Sequence, residues 1–311
     1  AHLEDTALLG ELSLEGRLRH TDGVLPMVGL ARDRGLHAVA VPEANASEAS
    51  LVSGLDVFGA ATLAQLVEHL RGGDPITPWT EPPASLLRGT EGHSADLVDI
   101  RGQEHAKRAL EVAAAGGHNM LMVGPPGSGK TLLARALPSI MPPLSPEEAL
   151  ETTKVYSVAG MLPSDTPLVA SRPFRAPHHT VSPVGMRGTL QDHKWQPGEC
   201  SLAHGGVLVL DDVPEFRRRV LEIVRVIVDE GVAILVSGAN RLEVPARFTL
   251  IATAMCCPCG FFGGPRAGEC TCSQAAVDRY TARIPAWLTE RCRVLEPDEY
   301  GLSAEQKRLL G

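Results

Sequence analysis

Lys130 and Thr131 close the octapeptide Gly124-Pro125-Pro126-Gly127-Ser128-Gly129-Lys130-Thr131, whose G-x-x-x-x-G-K-T spacing suits the binding of a nucleoside triphosphate. Gly127 and Gly129 let the backbone curl so that its amides face a β-phosphate. Lys130 is expected to neutralise β and γ oxygens, and the Thr131 hydroxyl to hold magnesium. These roles need a carboxylate from elsewhere in the chain. The apolar run Gly206-Val207-Leu208-Val209-Leu210 ends in Asp211 and Asp212. A buried parallel strand carries its carboxyl-end acids to the phosphate site beside it. Asp211 is therefore expected to orient magnesium through water, and Asp212 to polarise an attacking water. A nucleoside triphosphate and Mg2+ are the expected ligands.

A second group is thiol-based. Cys257, Cys259, Cys270 and Cys272 form C-x-C, ten intervening residues, then C-x-C, and five of the seven cysteines fall between Cys256 and Cys272. Four thiolates satisfy tetrahedral zinc and leave no position open for water, so such a site would be structural. The tight spacing within each pair leaves reduced thiols, disulfides or another metal as alternatives. Cys256 is a further candidate ligand beside the set. Cys200 and Cys292 are expected to pack as small apolar residues.

The elements that must position these groups are legible around them. Met120 to Val123 reads as a strand before the phosphate loop, and Leu132 to Leu137 as the helix after it. A helix through Gln103, Ala106, Ala109, Leu110 and Val112 precedes both. Val232 to Val236 and Phe248 to Thr253 read as further strands of a parallel sheet. Towards the N-terminus, Leu12 and Leu14 lie on one side of a candidate strand, Pro26 to Arg34 reads as a helix, and His37 to Val41 as a strand closed by Pro42. Ala60 to Leu70 has helical spacing. Arg71 to Ser94, with Gly72, Gly73, Pro75, Pro78, Pro82 and Pro83, reads as a linker.

At 311 residues and 44% apolar composition, the chain has room for one substantial core and a smaller one. With 29 basic and 37 acidic side chains its formal charge is -8, so the chain as a whole is not expected to attract nucleic acid or an anionic membrane. Arg217, Arg218 and Arg219 mark either a solvated helix face or a local basic surface. The absence of a long apolar run or a signal-peptide pattern leads to the expectation of a cytoplasmic protein with no membrane partner.

Further motifs extend the reading: Arg172 to Thr180 (RPFRAPHHT), Pro197-Gly198-Glu199, Ser201 to His204, Pro214-Glu215-Phe216, Pro245 to Phe248, and Arg279-Tyr280 with Arg283-Ile284. Together with the phosphate loop and Cys257-Pro258-Cys259-Gly260, they resemble the magnesium-chelatase-like AAA+ ATPases of the competence-protein ComM type. The likeness covers most of residues 5–295. It implies a P-loop AAA+ three-layer α-β-α domain with a parallel sheet, preceded by a partial Lon-protease-like (S5-type) α/β domain. The implied boundaries are 1–72 for the Lon-like part, 73–95 for the linker and 96–311 for the ATPase part, whose C-terminal helical lid is expected to be absent.

The resemblance also implies a homo-hexameric ring at full length that hydrolyses ATP and drives branch migration on single-stranded or branched DNA. Arg172, Arg175, His178 and His179 then fall in an insert facing the ring channel, where they either contact DNA phosphate or hold their own loop together. The same four cysteines recur in the family. Arg291 takes the place of a finger reaching a neighbour's nucleotide. Leu25 occupies the approximate place of the Lon catalytic lysine, so peptidase activity is not expected.

Departures qualify the motor. Asp212 stands where the family has Glu, one methylene longer, and a displacement of about 1 Å at a water-positioning group can cost about 100-fold in rate. Met255 replaces a polar sensor asparagine and cannot donate a hydrogen bond to γ-phosphate. Gly238 replaces an arginine. The alternatives to a DNA motor are a nucleotide-binding scaffold or assembly partner without significant ATPase activity, and a magnesium-chelatase-type regulatory ATPase.

Overall fold

The structure is a computed structural model that describes residues 3–80, 95–162, 167–191, 194–238, 240–263 and 267–295. Most of the expected linker, part of the loop between the cysteine pairs, and residues 296–311 lie outside the described residues. The chain divides by contact into two compact units, Ala1–Thr90 with Leu144–Ser171, and Glu91–Pro143 with Arg172–Gly311. The expected boundaries differ in two places. Leu144–Ser171 groups with the first unit because Leu144, Ala149 and Leu168 bury their side chains in its core. Within the expected linker, residues 73–80 are tied to that unit: the Trp79 amide donates to the Val57 carbonyl, and Ile76 packs on its second apolar cluster.

In the first unit a parallel sheet pairs Thr6–Leu8 with Ala38–Pro42 and Ala38–Pro42 with Asp56–Ala60. The helix Val24–Asp33, begun two residues before Pro26, buries Val24, Leu25 and Val28 in the core. Leu12 and Leu14 are exposed rather than on a buried strand face, because the hairpin of Glu11–Leu12 with Leu18–Arg19 is only two residues deep. Glu48 is buried and closes this core with hydrogen bonds. Its carboxylate accepts from the Leu25 amide, the Ser157 hydroxyl and the Asn45 side-chain amide. Ser157 lies on the helix Pro146–Val158, whose start is fixed by a Ser145–Glu148 capping box.

The second unit is built on five parallel strands: β1 (Met120–Val123), β2 (Phe174–Arg175), β3 (Val207–Leu210), β4 (Thr249–Ala254) and β5 (Arg293–Leu295), in the order β5-β1-β4-β3-β2. Alternate residues serve opposite faces, as a strand buried on both sides requires. Met120, Met122, Val207, Val209 and Ile251 pack against helices α1 (Glu104–Gly116) and α2 (Lys130–Ile140). Leu121, Leu208, Leu210, Leu250 and Ala252 face α3 (Arg218–Glu230) through Val220, Leu221, Val224 and Ile227. The result is a three-layer α-β-α domain. Val232–Ser237 does not join this sheet; it forms an antiparallel hairpin with Asn240–Pro245. Its alternating burial is that of a strand covered on one face, whereas the parallel strands are buried on both. A second hairpin pairs Gly188–Gln191 with Lys194–Pro197. Helices α4 (Gln274–Thr281) and α5 (Ala286–Arg291) complete the unit.

Candidate nucleotide site

Parallel pairing sets the carboxyl ends of β1, β4 and β3 side by side, with Val123 opposite Ala254 and Ala252 opposite Leu210. Three segments therefore leave the sheet together at the carboxyl ends of its strands: the phosphate loop after β1, Asp211-Asp212 after β3, and Met255 to Cys257 after β4. Gly124 to Thr131 leads straight into α2. Gly127 and Gly129 have φ of 76° and 86°, a left-handed geometry that L side chains rarely adopt. The first turn of α2 thus points its amides into the loop.

Lys130 is folded back into its own loop. Its Nζ donates to the Gly124 carbonyl at 2.9 Å, the Pro125 carbonyl at 2.8 Å and the Ser128 hydroxyl at 3.4 Å. Burial lowers its pKa, opposed by Cys256, Asp211 and Asp212. Thr131 Oγ1 donates to Asp211 Oδ2 at 3.0 Å, joining residues 80 positions apart in the chain. A hydroxyl and a carboxylate in contact beside a phosphate loop are the donor set that magnesium takes in P-loop sites, so these residues fit the ion.

Two side chains that sequence reasoning left without a role fix the acids. Thr253 Oγ1 donates to Asp211 Oδ1 at 2.6 Å and accepts from the Asp212 amide at 2.9 Å. Tyr280 donates from its hydroxyl to Asp212 Oδ1 at 2.9 Å. Burial, followed by the Asp212 carboxylate, raises the pKa of this phenol, so it remains a donor. Asp212 itself is left-handed, with φ 60° and ψ 63°. Gln103, also left-handed at φ 59°, donates from its side chain to the Ser128 carbonyl at 3.2 Å and braces the loop from α1. Arg279-Tyr280 stood in a motif, but no residue spacing signals that the tyrosine reaches an acid 68 positions away.

The cysteine cluster adjoins this loop. Ligand sulfurs of Cys257, Cys259, Cys270 and Cys272 all lie within 4.8 Å of one another, a convergence that suits one tetrahedral ion. The Gly260 amide donates to Cys257 Sγ at 3.2 Å. The backbone amide of Phe261, aided by Cys257, holds the Cys259 thiol down at about 6, whereas the Cys259 side chain and burial raise the thiols of Cys270 and Cys272, the latter to about 11. Gly260 has no room for a side chain, since a Cβ there would stand 2.4 Å from Pro126 Cδ of the phosphate loop. Cys200 and Cys292 are buried in the core, as small apolar residues are, and burial pushes the Cys292 thiol up to about 12.

The remaining expected site residues lie elsewhere on this unit. Arg172 donates to the carbonyls of Pro142, Pro143 and Gly205, and Arg175 makes a two-pronged pair with Glu199 at 2.7 and 2.8 Å. The His178 and His179 rings lie with centroids 4.0 Å apart at a tilt of 36°, and His178 Nδ1 lies 2.9 Å from the Thr180 hydroxyl. These contacts hold the segment together from within. Arg291 pairs with Asp229 of α3 at 2.7 Å. Arg217, Arg218 and Arg219 are exposed. Among the described residues no helix is long and apolar enough to cross a membrane.

Residues 96–296 match the family described as magnesium chelatase, subunit ChlI, and residues 1–45 match the description subunit ChlI of Mg-chelatase. An uncharacterized protein of Mycobacterium tuberculosis is 44% identical over 289 residues, covering 93% of this chain and 56% of that relative. Competence protein ComM of Haemophilus influenzae is 41% identical over 293 residues, covering 94% of this chain and 56% of ComM. The chain thus spans about half the length of the curated relatives it matches. Among solved structures, the BchI–BchD magnesium-chelatase complex aligns with a TM-score of 0.46 and 19% identity, over 70% of this chain and 65% of that one.

Proposed function

The chain belongs to the magnesium-chelatase ChlI family of AAA+ ATPases, which includes the ComM-type proteins, and from that premise we propose that it binds MgATP at Gly124 to Thr131 and hydrolyses it slowly as a regulatory ATPase module. The observation that carries this reading is the meeting of Thr131 with Asp211 beside Lys130. Bound magnesium would draw charge from the β and γ oxygens. Lys130 would leave the Gly124 and Pro125 carbonyls for those oxygens, Thr131 and Asp211 would hold the ion, and Asp212 would accept a proton from the attacking water. Arg291 would complete a neighbouring copy's site only after leaving Asp229, so a homo-hexamer is part of this reading.

A regulatory role, with nucleotide state passed to a protein partner, is favoured over a DNA motor by the internal engagement of Arg172 and Arg175. The relative named competence protein ComM favours the second reading, remodelling of single-stranded or branched DNA. Structural zinc at Cys257, Cys259, Cys270 and Cys272, a Lon-like origin for the first unit and a cytoplasmic location complete the proposal. ATP turnover measured with and without branched DNA tests it, with Lys130→Ala as reference. Turnover above the Lys130→Ala rate that DNA leaves unchanged is the expected result. Strong stimulation by DNA would favour the second reading, and turnover equal to that of the variant would remove hydrolysis.

A further inference from the structure

Tyr280 is only 5% exposed, yet its hydroxyl is committed to the site rather than to the core. Three constraints converge on Asp212. Its backbone is held left-handed, its amide is bound by Thr253 of β4, and its Oδ1 accepts from Tyr280 of α4. Among the described residues no donor reaches Oδ2. One carboxylate oxygen is therefore fixed by a phenol while the other stays available. An acid with so short a side chain has little reach of its own. Its usefulness to a reacting water then depends on which way its plane is turned.

We propose that Tyr280 is a positioning residue that sets the Asp212 carboxylate for the attacking water, acting through Asp212 and not on the nucleotide. This role rests on the ATPase reading above. The opposite arrangement, in which the phenol holds the acid away from its water, gives the opposite sign in the same experiment.

Tyr280→Phe keeps the ring in its buried place and removes only the donor. The expected result is a fall in kcat of about tenfold, the size associated with losing a hydrogen bond to a charged group. KM for MgATP and the affinity for a fluorescent ATP analogue should change by less than about twofold. In an Asp212→Asn background, adding Tyr280→Phe should leave the residual rate unchanged, because a residue that acts through the acid has nothing left to position. An unchanged or increased kcat, an equal loss in the Asp212→Asn background, or a loss of analogue binding would each overturn the role. Tyr280→Trp, which supplies a ring N–H as donor, is the second variant; if Tyr280→Phe is insoluble, a soluble Tyr280→Trp protein that keeps wild-type kcat, or loses rate only while Asp212 is present, supports the role, and one that loses rate equally in the Asp212→Asn background overturns it. Wild-type turnover no higher than that of Lys130→Ala removes the ATPase reading and this role together, whereas normal wild-type turnover with an unaffected Tyr280→Phe removes this role alone.

Discussion

Thr253 holds the two acids of the site in a fixed relation, because a single hydroxyl donates to Asp211 and accepts from the amide of Asp212. The residue is 1% exposed, so water does not stand in for it. Thr253→Val preserves shape but leaves that half-buried amide unpaired and removes the donor to Asp211. The expected cost is about 1–3 kcal/mol of stability, read by urea unfolding, together with a loss of ATP turnover. Stability and turnover both at the wild-type level would show that the hydroxyl does not couple the acids. Lys130, Thr131, Asp211 and Asp212 were legible in the sequence because each lies in a run whose types and order are set by phosphate chemistry. Thr253 and Tyr280 were not. Their partners are 42 and 68 residues away, and only strand register and helix packing bring them together.

The strands β1, β4 and β3 do the positioning, and the element that follows β4 adds a constraint on the first. The turn that carries Cys257 and Cys259 places Gly260 against Pro126, with φ of 84° and no space for a methyl group. Gly260→Ala must shift the phosphate loop or the turn. An overpacking cost of about 1–3 kcal/mol predicts MgATP binding weaker by about tenfold. Zinc content, measured on freshly purified reduced protein, should stay at about one per chain, since all four thiols remain. Unchanged binding would mean that the two segments move independently. A protein without metal would remove the zinc site while leaving the steric contact to be read by the same titration. Apolar runs with acids at their ends were readable as parallel strands. Val232 to Val236 misled because an apolar run alone does not distinguish a strand buried on both faces from one arm of a hairpin, and the one-face alternation shows only in the folded burial pattern.

At the scale of the molecule, one unit carries the candidate nucleotide site and the other a small core into which the chain returns at Leu144–Ser171. That return was not legible, because the helix Pro146–Val158 has a weakly segregated sequence whose partners, Glu48 through Ser157 among them, lie about a hundred residues earlier. The three-layer ATPase fold was legible, because the loop, its flanking strand and its helix occur in order within a few residues of one another. Family membership and the meeting of Thr131 with Asp211 support the proposed nucleotide site, and the chain covers 56% of the length of the relatives reported above. The central claim is therefore that this chain binds ATP through magnesium at Lys130 and Thr131. Calorimetric titration with ATP, run with magnesium, with excess chelator, and on Lys130→Ala, tests it directly. The account predicts one site per chain, weakened about tenfold or more by removing magnesium and again by Lys130→Ala, as expected when a charged contact to phosphate is lost. Equal affinity in all three titrations would contradict it.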